Sequence, residues 1–417
     1  MSEALFMIGA AEASARILEY IDTLSKERVP LSAALGFVLA ERVVAPLSLP
    51  LWRNASMDGY AVRAVDVANT PVRLRVIDEV PAGAVPQGGI GAGEAMKIMT
   101  GAPVPDGADT VIRIEDTDRG DRTVEIRNSR DSTKNIRPLG EDYRTGDTLG
   151  NPGDVVTPGL IGVLASAGAV HVTIYRQPTV GIVSSGDELV MLDRFESVLA
   201  GERIISSNSY SLPALVREAG ALPRDMGIAV DDPQALRERV EAARGCDLLV
   251  TTGGISVGDR DYTRTVLQEL GADIKFWRVR IRPGGPLAFG VVDGRPWIGL
   301  AGNPVSAMVT FELYVRPAIL KMSGHTRLFP LPSRVVLEEP VTVSGDLTHF
   351  LRVVLTPRGG RLHARLTGTQ SSGALMSMAR ANALLIVPEG RREYREGEEL
   401  NAIPLGVGQP SSDVFPA

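Results

Sequence analysis

The sequence predicts a multidomain α/β plus β protein. At its centre we expect a doubly wound, mostly parallel sheet domain, joined by a β-rich inserted domain, an N-terminal helical or linker domain and a C-terminal small β domain. The 417 residues exceed the usual length of one domain. Residues 178–324 alternate apolar strand-like runs with helix-like runs, which is typical of a parallel sheet covered by helices. The segments on either side contain short alternating runs broken by Gly and Pro, which favours small β domains.

The element pattern divides the chain into four expected domains. These are residues 1–47 with 147–177 (N-terminal helical or linker domain), 48–146 (inserted β domain), 178–326 (α/β domain) and 327–417 (C-terminal β domain). Apolar residues at helical spacing predict helices over 9–26 and 31–43, and a short helix over 158–168.

Within the α/β segment, each element has a local signal. Asp232 before Pro233 predicts a helix N-terminus, because Asp caps free backbone N–H groups and Pro suits the first turn. Asp293-Gly294 predicts the tip of a hairpin. Asn303-Pro304 predicts the start of a further helix, over 305–320. Strands are expected around 179–185, 223–230, 246–252 and 274–282.

The composition excludes several classes of protein. With 44 Lys and Arg against 50 Asp and Glu, the formal net charge is −6, which argues against a nucleic-acid-binding protein. The single cysteine, Cys246, allows no internal disulfide and no thiolate metal site, and we expect it in the core. The histidines (His171, His325, His349, His363) are scattered, and we expect them at the surface or at caps. No targeting segment and no run of about 20 apolar residues is evident, so we expect a cytoplasmic protein without a membrane partner.

Polar, glycine-rich loops follow the predicted parallel strands at 184–188, 231–232 and 251–259. Ligands of open α/β sheets bind beyond the carboxyl ends of the strands, so these loops form the candidate site. Glycines with free N–H groups suit a phosphate or another oxyanion, although a tight turn alone also requires glycine. Carboxylates in the same loops suit magnesium, although helix capping explains each one as well. These carboxylates are Asp187, Glu188, Asp231, Asp259 and Asp261.

An arginine-rich run follows, in which Arg278, Arg280 and Arg282 alternate with apolar residues. On a strand they would project from one face, where guanidinium groups could bind an oxyanion. A solvated edge strand is the alternative interpretation.

Eight motifs, which follow one another along the chain, are more specific than its composition. They are SMDGYA (56–61), TGAPVPDGAD (100–109), IRPLGEDY (136–143), SSGDEL (184–189), TTGGISVGDRDYT (251–263), RPGGP (282–286), GLAGNPVSA (299–307) and TGTQSSGALMSM (367–378). Together they closely resemble the molybdenum cofactor insertase family, whose members are molybdopterin molybdenumtransferases. The resemblance extends from about residue 7 to 405.

The resemblance implies a reaction and a set of partners. Members of this family insert molybdate into the dithiolene of adenylylated molybdopterin and release AMP with the help of Mg²⁺. A homodimer with its active site at the subunit interface is implied, as is a possible upstream adenylyltransferase partner. Asp58, Thr100 and Asp142 match catalytic acidic or polar positions of the facing subunit. Glu188 and Asp231 match magnesium-linked carboxylates, and Glu188 is also among the catalytic positions. Gly253, Gly254, Ser256 and Asp261 match the pterin and phosphate loop, with Asp261 among the catalytic positions. Arg282, Pro286, Ser306, Arg352 and Ser372 match the molybdate-holding positions.

Two residues depart from the family pattern. Gly285 stands where the family often has lysine, and Ala301 where it often has proline. The missing lysine removes one candidate anion contact and leaves the preference for molybdate over tungstate open. Two other functions are also kept open: an ATP-using molybdopterin adenylyltransferase, which the α/β segment alone resembles, and a non-catalytic scaffold like the animal relative gephyrin.

Overall fold

The computed structural model describes residues 7–255 and 262–406. In chain order the strands are β1 (Met7–Ile8), β2 (Lys26–Pro30), β3 (Val43–Val44), β4 (Asn54–Ala55), β5 (Gly59–Val62), β6 (Val72–Val80), β7 (Glu94–Ile98), β8 (Thr110–Arg113), β9 (Thr123–Ile126), β10 (Ile136–Arg137), β11 (Thr148–Gly150), β12 (His171–Tyr175), β13 (Thr179–Ser185), β14 (Leu189–Val190), β15 (Ile204–Ile205), β16 (Leu222–Ala229), β17 (Leu248–Thr252), β18 (Asp273–Val279), β19 (Ile281–Arg282), β20 (Pro286–Val292), β21 (Arg295–Leu300), β22 (Ser333–Leu337), β23 (Val341–Thr342), β24 (Thr348–Arg358), β25 (Arg361–Leu366), β26 (Ala383–Val387), β27 (Glu393–Tyr394) and β28 (Glu399–Pro404). The α-helices are α1 (Ala10–Glu19), α2 (Pro158–Ser166), α3 (Phe195–Leu199), α4 (Asn208–Glu218), α5 (Pro233–Ala242), α6 (Tyr262–Glu269), α7 (Pro304–Thr310), α8 (Arg316–Met322) and α9 (Leu375–Arg380).

The α/β part of the chain is built on a seven-stranded sheet in the order β1-β18-β20-β21-β17-β13-β16. The pairings of β1 with β18 and of β21, β17, β13 and β16 in turn are parallel, whereas β20 pairs antiparallel with both β18 and β21. Side chains of β13 alternate between two buried clusters. Val180 and Ile182 pack with α4, α7 and α8, and Val183 packs with α5 and α6. The sheet is therefore covered by helices on both faces, as expected for an α/β fold.

Local signals of the sequence place several of these elements. The Asp232 side chain accepts a hydrogen bond from the Ala235 N–H at 2.8 Å and caps α5. Asp293 and Gly294 have φ values of 49° and 74° at the tip of the β20–β21 hairpin. Cys246 is 4% exposed, and burial raises the pKa of its thiol. These predictions are confirmed.

The N-terminal region differs from its expected helices. The first helix ends at Glu19, and β1 adds to the edge of the seven-stranded sheet, so this segment packs on the α/β core. The helix predicted over 31–43 is wrong. Only one 3₁₀ turn, Leu31–Ala33, forms there, because Gly36 at φ 81° turns the backbone toward extended pairings with residues 154–156. Leu31, Ala34 and Leu39 are buried, and their spacing imitated a helical face.

Two further β regions complete the described chain. A five-stranded sheet, β8-β5-β7-β6-β9, lies in the inserted segment. In the C-terminal segment β24, β25, β22, β28 and β26 follow one another, and a pairing of β26 with β24 closes the ring into a barrel. Strand β19 pairs with β24 directly after β18 leaves the α/β sheet, so the arginine-rich run crosses from one sheet to the other. The single strand expected over this run is therefore two strands.

Within residues 7–255 and 262–406, the helices are too short or too polar to cross a lipid bilayer.

Candidate functional site

Two cavities meet near the carboxyl ends of the parallel strands. The first, here called the carboxylate cavity, has a volume of about 450 Å³. It lies beyond the ends of β13, β17 and β21, where the strand-end rule places a ligand. Its lining residues are Ser185, Gly186, Glu188, Leu189, Ile204, Ile205, Ser206, Ser207, Asn208, Asp231, Thr252, Gly253, Gly254, Gly302, Asn303 and Pro304.

Gly253 and Gly254 form the turn that follows β17. Their φ values are 86° and 62°, a conformation that side chains rarely adopt. A Cβ on Gly253 would lie 2.5 Å from the carbonyl oxygen of Ser185, so the close approach of two strand ends also requires glycine. Both glycines line the cavity, but the backbone geometry alone explains them.

The acidic residues of these loops have different positions. Glu188 and Asp231 line the carboxylate cavity. Asp187 accepts a hydrogen bond from the Asp231 N–H at 2.9 Å, and Asp232 caps α5. Ser256, Asp259 and Asp261 lie outside the described residues.

The donor set of this cavity is compatible with magnesium. The part of the chain that the structure describes holds no group of three or more metal-ligating side chains. Mg²⁺ is usually bound by one or two carboxylates together with substrate phosphates and water, and Glu188 with Asp231 would meet that requirement.

Asn208, at the start of α4, is a cavity residue that sequence reasoning missed. It is 6% exposed, and its Nδ2 donates at 2.8 Å both to Thr252 Oγ1 and to the carbonyl oxygen of Gly302. Its Oδ1 is buried without a hydrogen-bond partner among the described residues. Asn208 thus joins the loops after β17 and β21, a link between distant segments that the sequence pattern does not indicate.

The second cavity, here called the arginine cavity, has a volume of about 780 Å³. It lies between the loops of the α/β sheet and the C-terminal barrel, and Asn303 lines both cavities. All five positions that the resemblance assigned to molybdate line it: Arg282, Pro286, Ser306, Arg352 and Ser372. Gly285 and Ala301 line it too. None of its described lining residues carries a carboxylate.

Arg352, on β24, is the most unusual side chain of this cavity. It is 0% exposed, and burial lowers the pKa of its guanidinium to about 10, so it stays charged near neutral pH. Nε donates to Ser377 Oγ at 3.1 Å and Nη2 donates to the Ser371 carbonyl at 3.0 Å. Nη1 is buried without a hydrogen-bond partner within the described ranges. A buried cation in this position is suited to a bound anion.

His349, also on β24, contradicts the expectation that the histidines lie at the surface or at caps. It is 4% exposed and lines the arginine cavity. Its Nε2 lies 2.9 Å from both the carbonyl oxygen and the hydroxyl of Ser344. The sequence around His349 did not indicate this burial, because the start of β24 is enclosed only when the barrel closes.

Asp58, Thr100 and Asp142 lie away from both cavities, in the inserted β region. Asp58 Oδ1 accepts hydrogen bonds from the N–H and the hydroxyl of Thr100, each at 2.7 Å, and these bonds lower the pKa of the carboxyl. All three side chains are exposed. The chain therefore brings Glu188, Asp231 and the glycines together, and the five oxyanion positions together, but not these three.

Comparison with known proteins agrees with this arrangement. Residues 8–168 match the MoeA N-terminal region (domain I and II), 181–321 a probable molybdopterin binding domain, and 334–405 the MoeA C-terminal region (domain IV). Proteins named molybdopterin molybdenumtransferase are similar along almost the whole length. One from Staphylococcus aureus (strain COL) is 33% identical over 404 residues, covering 95% of each chain, and one from Nostoc sp. is 36% identical over 400 residues, covering 91% of this chain and 89% of that one.

The chain belongs to the molybdopterin molybdenumtransferase family. A solved structure of the molybdopterin biosynthesis moeA protein from Pyrococcus horikoshii OT3 has the same fold, with a TM-score of 0.83 and 29% identity over 96% of this chain and 100% of that one. The family resemblance drawn from the eight motifs is therefore confirmed. As a member of this family the chain is a transferase of molybdenum cofactor biosynthesis.

Proposed function

We propose that this protein takes molybdate and adenylylated molybdopterin, joins molybdenum to the two dithiolene sulfurs while oxygen of molybdate leaves as water with the thiol protons, and releases AMP as water cleaves the phosphoanhydride. The buried guanidinium of Arg352 carries this proposal. Arg352 belongs to the lining residues of a cavity that has no carboxylate among its described lining residues, and its charge has no carboxylate partner there, which suits a tetrahedral oxyanion. Arg282 and Ser306 line the same cavity and supply further donors.

The two cavities suggest a division of the substrates. The carboxylate cavity would receive the adenylylated end of the pterin at the strand ends, beside the 253–254 turn. The arginine cavity would hold molybdate. Because Asn303 lines both, molybdate and the dithiolene can meet there without either substrate crossing the protein.

Glu188 and Asp231 would hold the magnesium ion that the family resemblance implies. When bound, the ion would polarise the phosphoanhydride. Both carboxylates line the carboxylate cavity, where a cation would be shared between them and the phosphates of the substrate. Removal of the ion by a chelator should therefore abolish AMP release and leave molybdate binding in the arginine cavity unchanged.

Asp58, Thr100 and Asp142 would complete the site from a second copy of the chain. All three are exposed and lie away from their own chain's cavities, and exposed apolar side chains, Trp52 and Met57, lie nearby in the sequence. In a two-fold dimer each site would combine Asp58 of one copy with Glu188 of the other.

Mixing inactive variants tests this arrangement. Asp58→Asn and Glu188→Gln should each be inactive, whereas an equal mixture, after subunit exchange, should recover about a quarter of the wild-type activity because one site in half of the dimers is intact. No recovery, in a mixture shown by mass spectrometry to contain mixed dimers, would contradict a shared site.

The decisive assay uses purified protein, adenylylated molybdopterin and molybdate. AMP release that requires molybdate and not ATP supports the insertase. Pyrophosphate formation from ATP would instead show the adenylyltransferase, which we expect to be the separate upstream supplier. Cofactor synthesis that persists in a protein carrying both Asp58→Asn and Glu188→Gln would favour a non-catalytic scaffold. We place the reaction in the cytoplasm, whose reducing conditions keep a dithiol reduced.

A further inference from the structure

The arginine cavity contains a titratable group that the family motifs do not include. His349 is buried in its wall, and the strand register places it beside Arg282 of β19. Nε2 of His349 lies 2.9 Å from the carbonyl oxygen of Ser344, to which it can donate, and 2.9 Å from the Ser344 hydroxyl, from which it can accept, so these contacts allow either neutral tautomer. Only in the charged ring are both nitrogens donors.

We propose that His349 is an oxyanion-binding residue of this cavity that takes up a proton when molybdate binds. The inference rests on the proposed function, and it names a proton as a further partner of the bound dianion. In the free protein, burial and the charge of Arg282 hold the pKa of His349 below its ordinary value, although the Ser344 bond acts in the opposite direction. His349 is therefore neutral near pH 7 before the anion arrives.

The charged groups around His349 decide the sign of the effect. Arg282 lies across from it, and Arg352 is three residues further along β24. Asp346 is in the preceding turn, and Glu389, beyond β26, is 3.8 Å from Arg280. Arg352 is on the opposite face of β24 from His349 because side chains of a strand alternate, whereas Arg282 is paired with His349, so a dianion bound beside Arg282 reverses the local potential there and favours the imidazolium.

The linkage predicts a definite pH dependence. A proton bound only in the complex strengthens binding as the pH falls, by up to about tenfold per pH unit between the two pKa values of His349. Above the pKa of the complex and below that of the free protein, this contribution to affinity becomes constant.

Calorimetric titration with sodium molybdate tests the inference between pH 6 and 8.5. Repeating it in buffers of different ionisation enthalpy gives the number of protons taken up. We expect uptake approaching about one proton per site near pH 7 in the wild type. In His349→Gln we expect no uptake and roughly tenfold weaker binding, since one charge-assisted hydrogen bond is lost.

A matched control is His363→Gln, on β25 of the same barrel, which should retain the wild-type uptake and affinity. Molybdate binding by the wild type without proton uptake, or with the same uptake in His349→Gln, overturns the role of His349. The wild-type measurement stands even if a variant does not fold. No molybdate binding by the wild type at any pH would instead overturn the proposed function, and this inference with it.

Discussion

Replacing Arg352 with Met should separate the contributions of one side chain to stability and to binding. Burial lowers the pKa of its guanidinium to about 10, which at 1.36 kcal/mol per pH unit corresponds to about 3 kcal/mol of unfavourable burial. Its side chain donates two hydrogen bonds, to Ser377 and Ser371, which contribute about 2 kcal/mol each because the donor is charged. Burial and hydrogen bonding therefore nearly cancel, and removing the side chain's charge should change the free energy of unfolding by about 1 kcal/mol or less.

Molybdate binding by the Arg352→Met variant should instead become weaker. Loss of one or two charge-assisted bonds of about 2 kcal/mol each predicts at least roughly 30-fold weaker binding in calorimetry. AMP binding, assigned to the carboxylate cavity, should be unchanged. Arg334→Met, which removes an exposed arginine of the same barrel, is the matched control and should alter neither quantity by much. A loss of more than 3 kcal/mol of stability with unchanged molybdate affinity would refute the reasoning, because it would make Arg352 a structural residue only.

Three further predictions follow from other contacts. Gly285→Lys adds a cation to the wall of the arginine cavity and should tighten molybdate binding several-fold in the same titration, and weaker binding would contradict it. Asn208→Ala removes two donated bonds between loops and should lower stability by about 2 kcal/mol and weaken AMP binding; unchanged AMP affinity would limit Asn208 to stability. Burial raises the pKa of Asp247, but bonds from Arg176 and Thr179 outweigh it and lower the pKa overall, so its stabilisation is present above the unfolded pKa and is lost as the pH falls through the folded one. Asp247→Asn should destabilise the protein by about 2 kcal/mol at pH 7 and much less near pH 3 in urea unfolding, and an equal effect at both pH values would contradict this.

The parts of the fold that depend on local chemistry could be predicted from the sequence. Asp232 and Pro233 begin α5, and Asp293-Gly294 turns the β20–β21 hairpin, because capping and positive φ are properties of a few adjacent residues. The rule that ligands bind beyond the carboxyl ends of the strands led to loops that line the carboxylate cavity, since it needs only the order of strands and helices.

Properties that depend on distant partners could not be predicted. The spacing of Leu31, Ala34 and Leu39 resembled a helix, but their burial comes from packing beside residues 156–174. The arginine-rich run was expected to be one strand, and its division between two sheets is set by the barrel strand β24. His349 is buried for the same reason, since closure of the barrel through β26 encloses the start of β24.

Arg352 differs from other arginines of the chain in having no carboxylate partner among the described residues, and this gives the clearest reason to expect an anion in the arginine cavity. Arg113 and Arg176 lie within 2.6 Å of aspartate oxygens, and Arg316 is 2.6 Å from Glu312. Arg352 is more deeply buried than any of these, yet within the described ranges no carboxylate lies within 4.0 Å of it. In a protein with net charge −6, acidic side chains are plentiful, so composition does not explain why none occurs among the described lining residues of this cavity. A buried charge is retained at a cost in stability when it has another use. A carboxylate beside Arg352 would neutralise the guanidinium, and without one its charge can favour an anion bound in the arginine cavity.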